Sequence, residues 1–529
     1  MQYSLAYGRE QLTVELPEQN VVKVLKIQPA SALDDPLDAV FDVLEEPIET
    51  EPLAAIAEGK KSACVVICDT TRPVPNPIIL PPILQTLEDA GIDVPKITIL
   101  IAAGLRRNSS PEERTALIGE DIMLRKFKVS DHSARKLHQH EYLGVTKSGT
   151  PIWIDRRYLE AEVKVLTGVI EPHSTSGFSG GRESICPGIA ASDTIAACYS
   201  PQQLGHEMVC PGSLDDNPIH AEQMEIARKA GCDFVVNVLL NQHREISKVV
   251  GGHLNYAFLA GAALARKQQT DTLEKQADIV VTSGGGFPYD KTWYQTIRGI
   301  IGSLDILKPG GTIIIASACD EGIGGEEFDK NEEPFTSIDE FIAALASENA
   351  AGQRLSHELQ QTLQELAKAL RKGKVKAVSK GVSPEVLQKF FVVPCATVEE
   401  AVAGALEEYG ADASIAVIPS GPCVLAFAKQ KEPEPVKSET IKPETAEPEA
   451  KKPPVKKATA KKTEPKVQEP AIEPVPVAMA TEETTVEETA VEVTATVETK
   501  KATTKKAAKK ATVKKAETKK TAVKKAAKK

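Results

Sequence analysis

Short apolar segments that alternate with helical segments constrain the fold of this chain more than any other sequence feature. Ser62–Cys68 (SACVVIC) and Lys96–Ala102 (KITILIA) have the composition of buried strands, and Ile79–Ala90 between them has helical spacing. Ser110 and Pro111 then favour a further helix, because serine is a good N-cap and proline suits the first helical turn. Strand, helix, strand and helix in this order predict a parallel sheet with helices on its faces.

The same alternation begins again near residue 275, which predicts a second α/β unit. Ala260–Ala277 has a helical pattern that could link the two units. Asp278–Thr282 (DIVVT) then leads into three glycines and a predicted helix from Trp293 to Leu307, followed by the predicted strand Thr312–Ala316 (TIIIA). Ser414–Pro419 (SIAVIP) either supplies the last strand of this second unit or returns to the first.

The composition divides the chain into a body that can fold and a tail that cannot. We predict an α/β fold with two domains, residues 1–272 and 273–428, whose mainly parallel sheets flank a cleft. Residues 429–529 are rich in Lys, Ala, Pro and Glu and lack periodic apolar residues, so this tail is predicted to be disordered. The last 30 residues contain 14 lysines. The tail could be a solubilising spacer, or it could make a weak contact with a polyanion such as nucleic acid.

The cysteines and the N-terminus favour a cytoplasmic protein. The 9 cysteines are scattered and form no CxxC pair, which is typical of buried free thiols in a reducing compartment. The first residues, MQYSLAYGREQL, lack the cationic and apolar segments of a signal peptide. No apolar stretch of about 18 residues is present, so no membrane contact is expected.

Four loops combine glycine or proline with unlike polar groups directly after a predicted strand. Ligands of parallel α/β sheets bind at the carboxyl ends of the strands, so we expect these loops to line one site. They are residues 69–73 (DTTRP), 104–108 (GLRRN), 171–183 (EPHSTSGFSGGRE) and 284–290 (GGGFPYD).

Several side chains in these loops suggest an anion site with an acid or base. His173 should lie at the sheet edge, where an imidazole can act as an acid or base near neutral pH. Gly180 and Gly181 would let backbone N–H groups approach a phosphate. Asp69 and Arg72 could hold a ribose hydroxyl and a phosphate or carboxylate, or they could form a simple pair that braces a turn.

Two further groups are open to a functional and a structural interpretation. Arg106 and Arg107 precede a helix start, which suggests anion binding, although a solvated charged turn is equally compatible. Arg298 lies three residues after Gln295 on the helix that follows the glycine triplet, and it could reach a substrate carboxylate. The triplet by itself is a weak signal, because any tight strand-to-helix turn can use it.

Taken together, these motifs resemble the nickel-pincer lactate racemase family, in the family's order over roughly residues 1–425. The resemblance implies a nickel-carrying pyridinium mononucleotide between two domains, which accepts a hydride from the α-carbon of a 2-hydroxy acid and returns it to either face. It also implies two histidines as base and acid, a lysine that tethers the cofactor and a histidine that ligates nickel. The matching segments are Asp69–Pro73, Glu171–Arg182, Ser184–Ala190 (SICPGIA), Asn217–His220 (NPIH) and Gly284–Gln295.

Carried over by position, part of the family's functional set is present. The resemblance makes His173 one catalytic histidine, and it makes Asp69 and Arg72 a cofactor-binding pair. Gln295 matches a substrate-side residue, and Arg298 stands where the family has lysine. The glycines at 180 and 181 and the residue at 183 belong to the implied cofactor site.

Three positions depart from the family's pattern, and each departure has a chemical consequence. Arg106 takes the place of the other catalytic histidine; it cannot act as a base, but it could clamp a second carboxylate or a phosphate. Glu183 replaces the tethering lysine and cannot form the covalent link. Tyr199 replaces the nickel-ligating histidine, and a phenol is a poor ligand unless it is deprotonated.

The resemblance therefore implies a lactate racemase-like isomerase that acts on a 2-hydroxy acid by hydride transfer to a nickel-pincer nucleotide, with an altered, more anionic substrate. The alternative is a nucleotide-binding, anion-binding or regulatory protein of the same fold that has lost catalysis. A third hypothesis, a nucleic-acid-associated protein, rests on the charge of the tail alone.

Overall fold

The fold was analysed in a computed structural model that describes residues 1–324, 337, 340 and 357–429, the side chains of 357–361 excepted. The predicted disordered tail, apart from its first residue, lies outside the described residues. The strands are β1 (Gln2–Tyr7), β2 (Glu10–Glu15), β3 (Val21–Val24), β4 (Ala63–Cys68), β5 (Ile97–Ala102), β6 (Lys128–Asp131), β7 (His140–Val145), β8 (Pro151–Asp155), β9 (Val163–Val169), β10 (Pro172–His173), β11 (Gly177–Phe178), β12 (Phe234–Leu240), β13 (Ile246–Gly252), β14 (Thr270–Leu273), β15 (Ala277–Ser283), β16 (Leu307–Ala316), β17 (Lys374–Val378), β18 (Val393–Pro394), β19 (Ile415–Ile418) and β20 (Leu425–Ala428).

Helices cover the sheets, and none of those in the described ranges is long and apolar enough to cross a membrane. The helices are α1 (Pro36–Glu45), α2 (Leu53–Ala57), α3 (Asn76–Asp89), α4 (Pro111–Ile118), α5 (Glu120–Leu124), α6 (Arg156–Leu159), α7 (Ser192–Cys198), α8 (Pro201–Gly205), α9 (Pro218–Ala230), α10 (Tyr256–Gln269), α11 (Trp293–Ile301), α12 (His357–Lys372), α13 (Pro384–Lys389) and α14 (Val398–Tyr409).

The first large sheet has the strand order β13-β12-β9-β4-β5-β6. All neighbours in it are parallel except β13, which runs antiparallel to β12. Central strands such as β4 are apolar along their length because both faces of the sheet are covered, and a separate hydrophobic cluster lies on each face. The α4 helix begins as predicted, with a capping box between Ser110 and Glu113.

The second large sheet is wholly parallel, with the order β18-β17-β16-β15-β19-β3. The two sheets confirm the predicted α/β fold class. Ser414–Pro419 contributes β19 to this second sheet, which settles the alternative left open by the sequence. Its edge strand β3 comes from the N-terminal part of the chain, and the side-chain amide of Asn20 donates to the Ala411 carbonyl at 2.7 Å. The division into domains 1–272 and 273–428 stays a prediction.

The predicted helix Ala260–Ala277 is wrong in its second half. Helix α10 ends at Gln269, and Thr270–Leu273 forms β14, which pairs in parallel with β20. The helical pattern continues past Gln269 without a residue that would end a helix. Pairing of residues 270–273 with β20 nevertheless makes this segment a strand. All 9 cysteines are free thiols, as expected.

A buried polar cluster holds β8 against the loop after β6. The Asp155 carboxylate accepts from Arg157 at 2.6 Å and lies 3.1 Å from Nδ1 of His132, whose Nε2 lies 3.0 Å from the Ala190 carbonyl. Burial opposes the charge on Asp155, but the hydrogen bonds from Arg157 and His132 outweigh it and hold the pKa of this carboxyl well below its usual range. His132 is therefore a core histidine with a hydrogen-bond partner at each ring nitrogen.

Asp155→Asn is expected to lower the free energy of unfolding at pH 7 by about 1–3 kcal/mol, because it removes the charge that faces two buried donors. The carboxylate's contribution is complete above the unfolded-state pKa of about 3.9 and is lost as the pH falls toward the lower folded-state value. Urea titrations at pH 7 and at about pH 2.5 measure both effects. Asp320→Asn, at a pair with Lys380 in which the Asp320 side chain is 54% exposed, is the control. An equal loss in both variants would contradict the role given to Asp155.

Candidate functional site

A cavity of about 110 Å³ lies at the carboxyl ends of the first sheet, where β4, β5 and β9 lead into their loops. Its wall also includes Tyr294 of helix α11, which follows β15 of the second sheet. Most of the predicted site residues meet here: Asp69, Arg72, Arg106, His173, Gly180, Glu183 and Tyr199 all line the cavity.

Arg106 and Asp69 form a bidentate ion pair in the cavity wall. The Arg106 guanidinium donates from Nε to Oδ2 of Asp69 at 2.6 Å and from Nη2 to Oδ1 at 3.2 Å. Thr71 adds a hydroxyl and a backbone N–H to the same Oδ1. Burial opposes ionisation of Asp69, but the Arg106 charge and the hydrogen bonds from Arg106 and Thr71 together outweigh it and lower the pKa of the carboxyl. Asp69 is thus committed to a pair with Arg106, where the sequence suggested Arg72 as its structural partner.

Arg72 pairs instead with two glutamates from the loop after β9. Its Nη1 donates to Glu171 at 2.7 Å, and its Nη2 lies 3.8 Å from Glu183. The charges of these carboxylates outweigh the effect of burial and raise the pKa of Arg72. Glu171 also accepts from the hydroxyl of Tyr289, in the loop after β15. Glu171 therefore links the loops of the two sheets at the cavity.

His173 is held as a neutral hydrogen-bond donor. Its Nδ1 accepts from the backbone N–H of Ser176 at 3.2 Å, so the proton of the neutral ring is on Nε2. Burial, with the charges of Arg72 and Arg298 added, lowers the pKa of His173 to about 3 in spite of the nearby Glu183 carboxylate. The ring is therefore neutral near pH 7, and the acid or base role expected from the sequence stays a prediction.

Glu183 and Tyr199 are buried in fixed protonation states. The Glu183 carboxylate lies 3.4 Å from Nδ1 of His173. Burial opposes its charge, but the polar and charged groups around it, the guanidinium groups of Arg72 and Arg182 among them, outweigh burial and lower its pKa. Burial, with the charges of Cys198 and Glu183 added, raises the pKa of Tyr199 well above its usual value, so the phenol keeps its proton. The Tyr199 hydroxyl accepts a hydrogen bond from the Gln223 amide at 2.8 Å.

The two predicted phosphate-binding glycines have different surroundings. Gly180 lines the cavity with φ at +94°, and a Cβ there would lie 2.9 Å from the Asn237 side chain, so the position requires glycine. Gly181 directs its N–H to the same Asn237 at 3.1 Å and does not line the cavity. Only Gly180 is therefore placed as the sequence predicted.

Gln295 and Arg298 do not line the cavity. The Gln295 amide donates to the Pro288 carbonyl at 3.1 Å, so it serves the internal structure of its own loop. Arg298 lies 4.0 Å from Glu171, and its pKa is lowered to about 10, by burial and then by the charge of Arg72. Arg298 thus contributes positive potential to the site without lining it.

Sequence reasoning overlooked three residues that organise the site. Glu171 stood in the motif beside His173, and its position next to a functional residue was the signal available. Tyr294 and Gln223 carried no local signal, because their contacts join segments that are distant in sequence.

Comparison with known proteins identifies the family. The model of the lactate racemase N-terminal domain matches residues 7–206, and that of the lactate racemase C-terminal domain matches residues 272–426. The chain belongs to the lactate racemase family. It is 33% identical over 431 residues to a lactate racemase of Thermoanaerobacterium thermosaccharolyticum, covering 80% of this chain and 99% of that relative. It is 30% identical over 423 residues to a lactate racemase of Lactiplantibacillus plantarum, covering 79% of this chain and 97% of the relative.

Solved structures agree with this family assignment. The lactate racemase apoprotein from Thermoanaerobacterium thermosaccharolyticum superposes with a TM-score of 0.73 at 32% identity, covering 80% of this chain and 100% of that chain. A Thermotoga maritima protein superposes with a TM-score of 0.59 at 16% identity, which shows the fold alone.

The residues at the cavity do not fit the nickel-pincer nucleotide that the family resemblance implies. At the tether position, Glu183 is an ionised carboxylate beside Arg72 and cannot take the covalent link. At the nickel-ligating position, Tyr199 is a protonated phenol that already accepts from Gln223. We therefore assign no reaction step to that cofactor.

Proposed function

We propose that this protein binds a 2-hydroxy acid that carries a second anionic group, in the cavity between Arg106 and His173. Its relatives are named lactate racemases, and lactate is the simplest chiral 2-hydroxy acid. The observation that carries the proposal is the Arg106 guanidinium, which lines the cavity with its side chain 37% exposed. Asp69 engages two of its five N–H donors, and an anion can accept from the others.

The charges around the cavity support an anionic ligand. Four guanidinium groups shift the pKa values of titratable groups at the cavity: those of Arg72, Arg106, Arg182 and Arg298. They face three carboxylates, those of Asp69, Glu171 and Glu183. Because His173 is neutral, the positive charge available to a ligand at the cavity comes from these guanidinium groups. An arginine fork recognises a carboxylate through paired hydrogen bonds, and Nε2–H of His173 can donate to a further ligand oxygen.

Racemase-like isomerisation of the same acid is the second candidate function. Family membership over most of the chain favours it, as does the presence of His173 in the cavity wall. It requires a group that removes and returns hydrogen at the α-carbon. Arg106 cannot be that group, and the unprotonated nitrogen of His173, Nδ1, already accepts from the Ser176 N–H.

A paired binding and turnover experiment separates the two candidates. Calorimetry would measure the affinity for malate, a 2-hydroxy dicarboxylate, and for lactate, while chiral chromatography would follow single enantiomers of both. Malate bound at least about tenfold more tightly than lactate, without racemisation, supports the binding function. Racemisation of malate supports the second candidate, and equal affinities for the two acids would contradict a site for a second anionic group.

The affinity for malate is expected to change by less than about twofold between pH 6 and 8. His173, with a pKa of about 3, stays neutral across this range, and the lowered pKa values of Asp69 and Glu183 keep both carboxylates ionised. Calorimetry at three pH values in one buffer series tests this. Tightening of fivefold or more at pH 6 would indicate a histidine that gains a proton near its usual pKa of about 6.5.

The 9 free thiols support a cytoplasmic location, which is part of this proposal. The suggested polyanion contact through the lysine-rich tail lies outside the described residues.

A further inference from the structure

We propose that Glu183, Tyr199 and Arg106 replace the family's cofactor site with a self-paired polar network, so that this chain carries no tethered, nickel-ligated nucleotide. The inference does not depend on which acid binds, because its test measures metal and mass rather than ligand affinity or turnover.

The first part of the network is the change of charge at position 183. A lysine there would place an ammonium group beside the guanidinium groups of Arg72 and Arg182, where a bound anionic cofactor would have to balance them. Glu183 supplies that negative charge from the chain itself, 3.8 Å from Arg72 and next to Arg182. The site at this point is charge-compensated without a cofactor.

The second part is the hydrogen bonding of the Tyr199 hydroxyl within the chain. The Gln223 amide donates both to the Tyr199 hydroxyl at 2.8 Å and to the Cys186 carbonyl at 3.0 Å, which fixes the direction of the phenol. The Tyr199 side chain is buried, and its hydroxyl oxygen already accepts this hydrogen bond. Tyr199 is therefore a structural hydrogen-bond partner at this position.

The third part is the pairing of Asp69 with Arg106. The family resemblance makes Asp69 a cofactor-binding acid, but both of its oxygens accept from Arg106, and Thr71 donates two more hydrogen bonds to one of them. A histidine at position 106 could not form this fork. Arginine at position 106 thus occupies Asp69, so that Asp69 is no longer available to the cofactor, and it also removes a base. The residues at positions 183, 199 and 106 therefore all oppose binding of the same cofactor.

The nickel content of the full-length chain tests the proposal. The chain and the lactate racemase of Thermoanaerobacterium thermosaccharolyticum would be produced in one host that makes the nickel nucleotide, then washed with a chelator. We expect at least about tenfold less nickel per chain than in the relative, and an intact mass equal to the 56.8 kDa sequence mass. Nickel within about twofold of the relative, or added mass on the peptide that contains Glu183, would overturn the proposal.

Back-substitution tests whether these three positions account for the loss. The triple variant Glu183→Lys, Tyr199→His, Arg106→His is expected to gain at least about tenfold in nickel per chain. Its matched control makes the same replacements on the surface, at Glu88, Tyr142 and Arg125, and is expected to stay at the unmodified level. Circular dichroism confirms folding, and if the triple variant unfolds, Tyr199→His with Glu183→Gln replaces it. A folded back-substituted variant that stays nickel-free would overturn the assignment to these residues.

Discussion

Arg72→Met is expected to lower the free energy of unfolding by about 3–5 kcal/mol, the largest change of any substitution considered for this protein. The Arg72 side chain is 13% exposed, and its partners Glu171 and Glu183 are 5% and 12% exposed. Methionine keeps the apolar stem but removes the charge, which leaves two buried carboxylates without their main cation. Such a loss is costly because a buried charge cannot recover its hydration.

Urea denaturation at pH 7, followed by fluorescence and by circular dichroism, measures this loss. Arg125→Met is the matched control, because Arg125 also binds a glutamate, Glu88, but with its own side chain 44% exposed. An exposed pair contributes at most about 1 kcal/mol, so the control should be nearly as stable as the unmodified protein. A loss below about 1 kcal/mol for Arg72→Met would show that the two glutamates find other partners.

Arg106→Ala is expected to weaken malate binding by about 10- to 100-fold and to change lactate binding by less than about threefold. The substitution removes the donors that would face the second carboxylate, whereas the donor on His173 remains for both acids. Comparing the two acids on one variant cancels any general effect of leaving Asp69 without its partner. Calorimetry with both ligands supplies the comparison.

Arg107→Ala is the natural control for this experiment. Arg107 is the next residue in the chain, but its guanidinium lies outside the cavity wall, on Glu113 and Glu321, with its side chain 54% exposed. Its removal should leave both affinities within about twofold of the unmodified protein. Equal weakening of malate and lactate by Arg106→Ala would remove Arg106 from the ligand site.

The fold class could be predicted because the strands of a doubly covered sheet are apolar along their whole length. β4 and β5 are recognisable for this reason, and the N-cap Ser110 locates the start of α4. β3 and β14 were missed because short edge strands derive their structure from pairing with distant segments. The local sequence of a strand does not show which distant segment it pairs with.

The location of the site could be predicted, but its electrostatics could not. Because Asp69, Arg106 and His173 each follow a predicted strand, they were expected at the carboxyl edge of one sheet. All three line the cavity. Which charge pairs with which depends on distances across loops, so the Arg106–Asp69 fork was not foreseeable. The same holds for the pKa of His173, which is set by burial and by the N–H of Ser176 on Nδ1 rather than by residue type.

The position of β3 in the second sheet has a consequence for how the protein is made. Asn20, just before β3, bonds to Ala411, 391 residues further along the chain. During synthesis β3 therefore has no strand to pair with until the ribosome has released β19. Contacts of such long sequence separation slow folding, and a ribosome-bound chain stalled before β19 should leave Val21–Val24 open to protease.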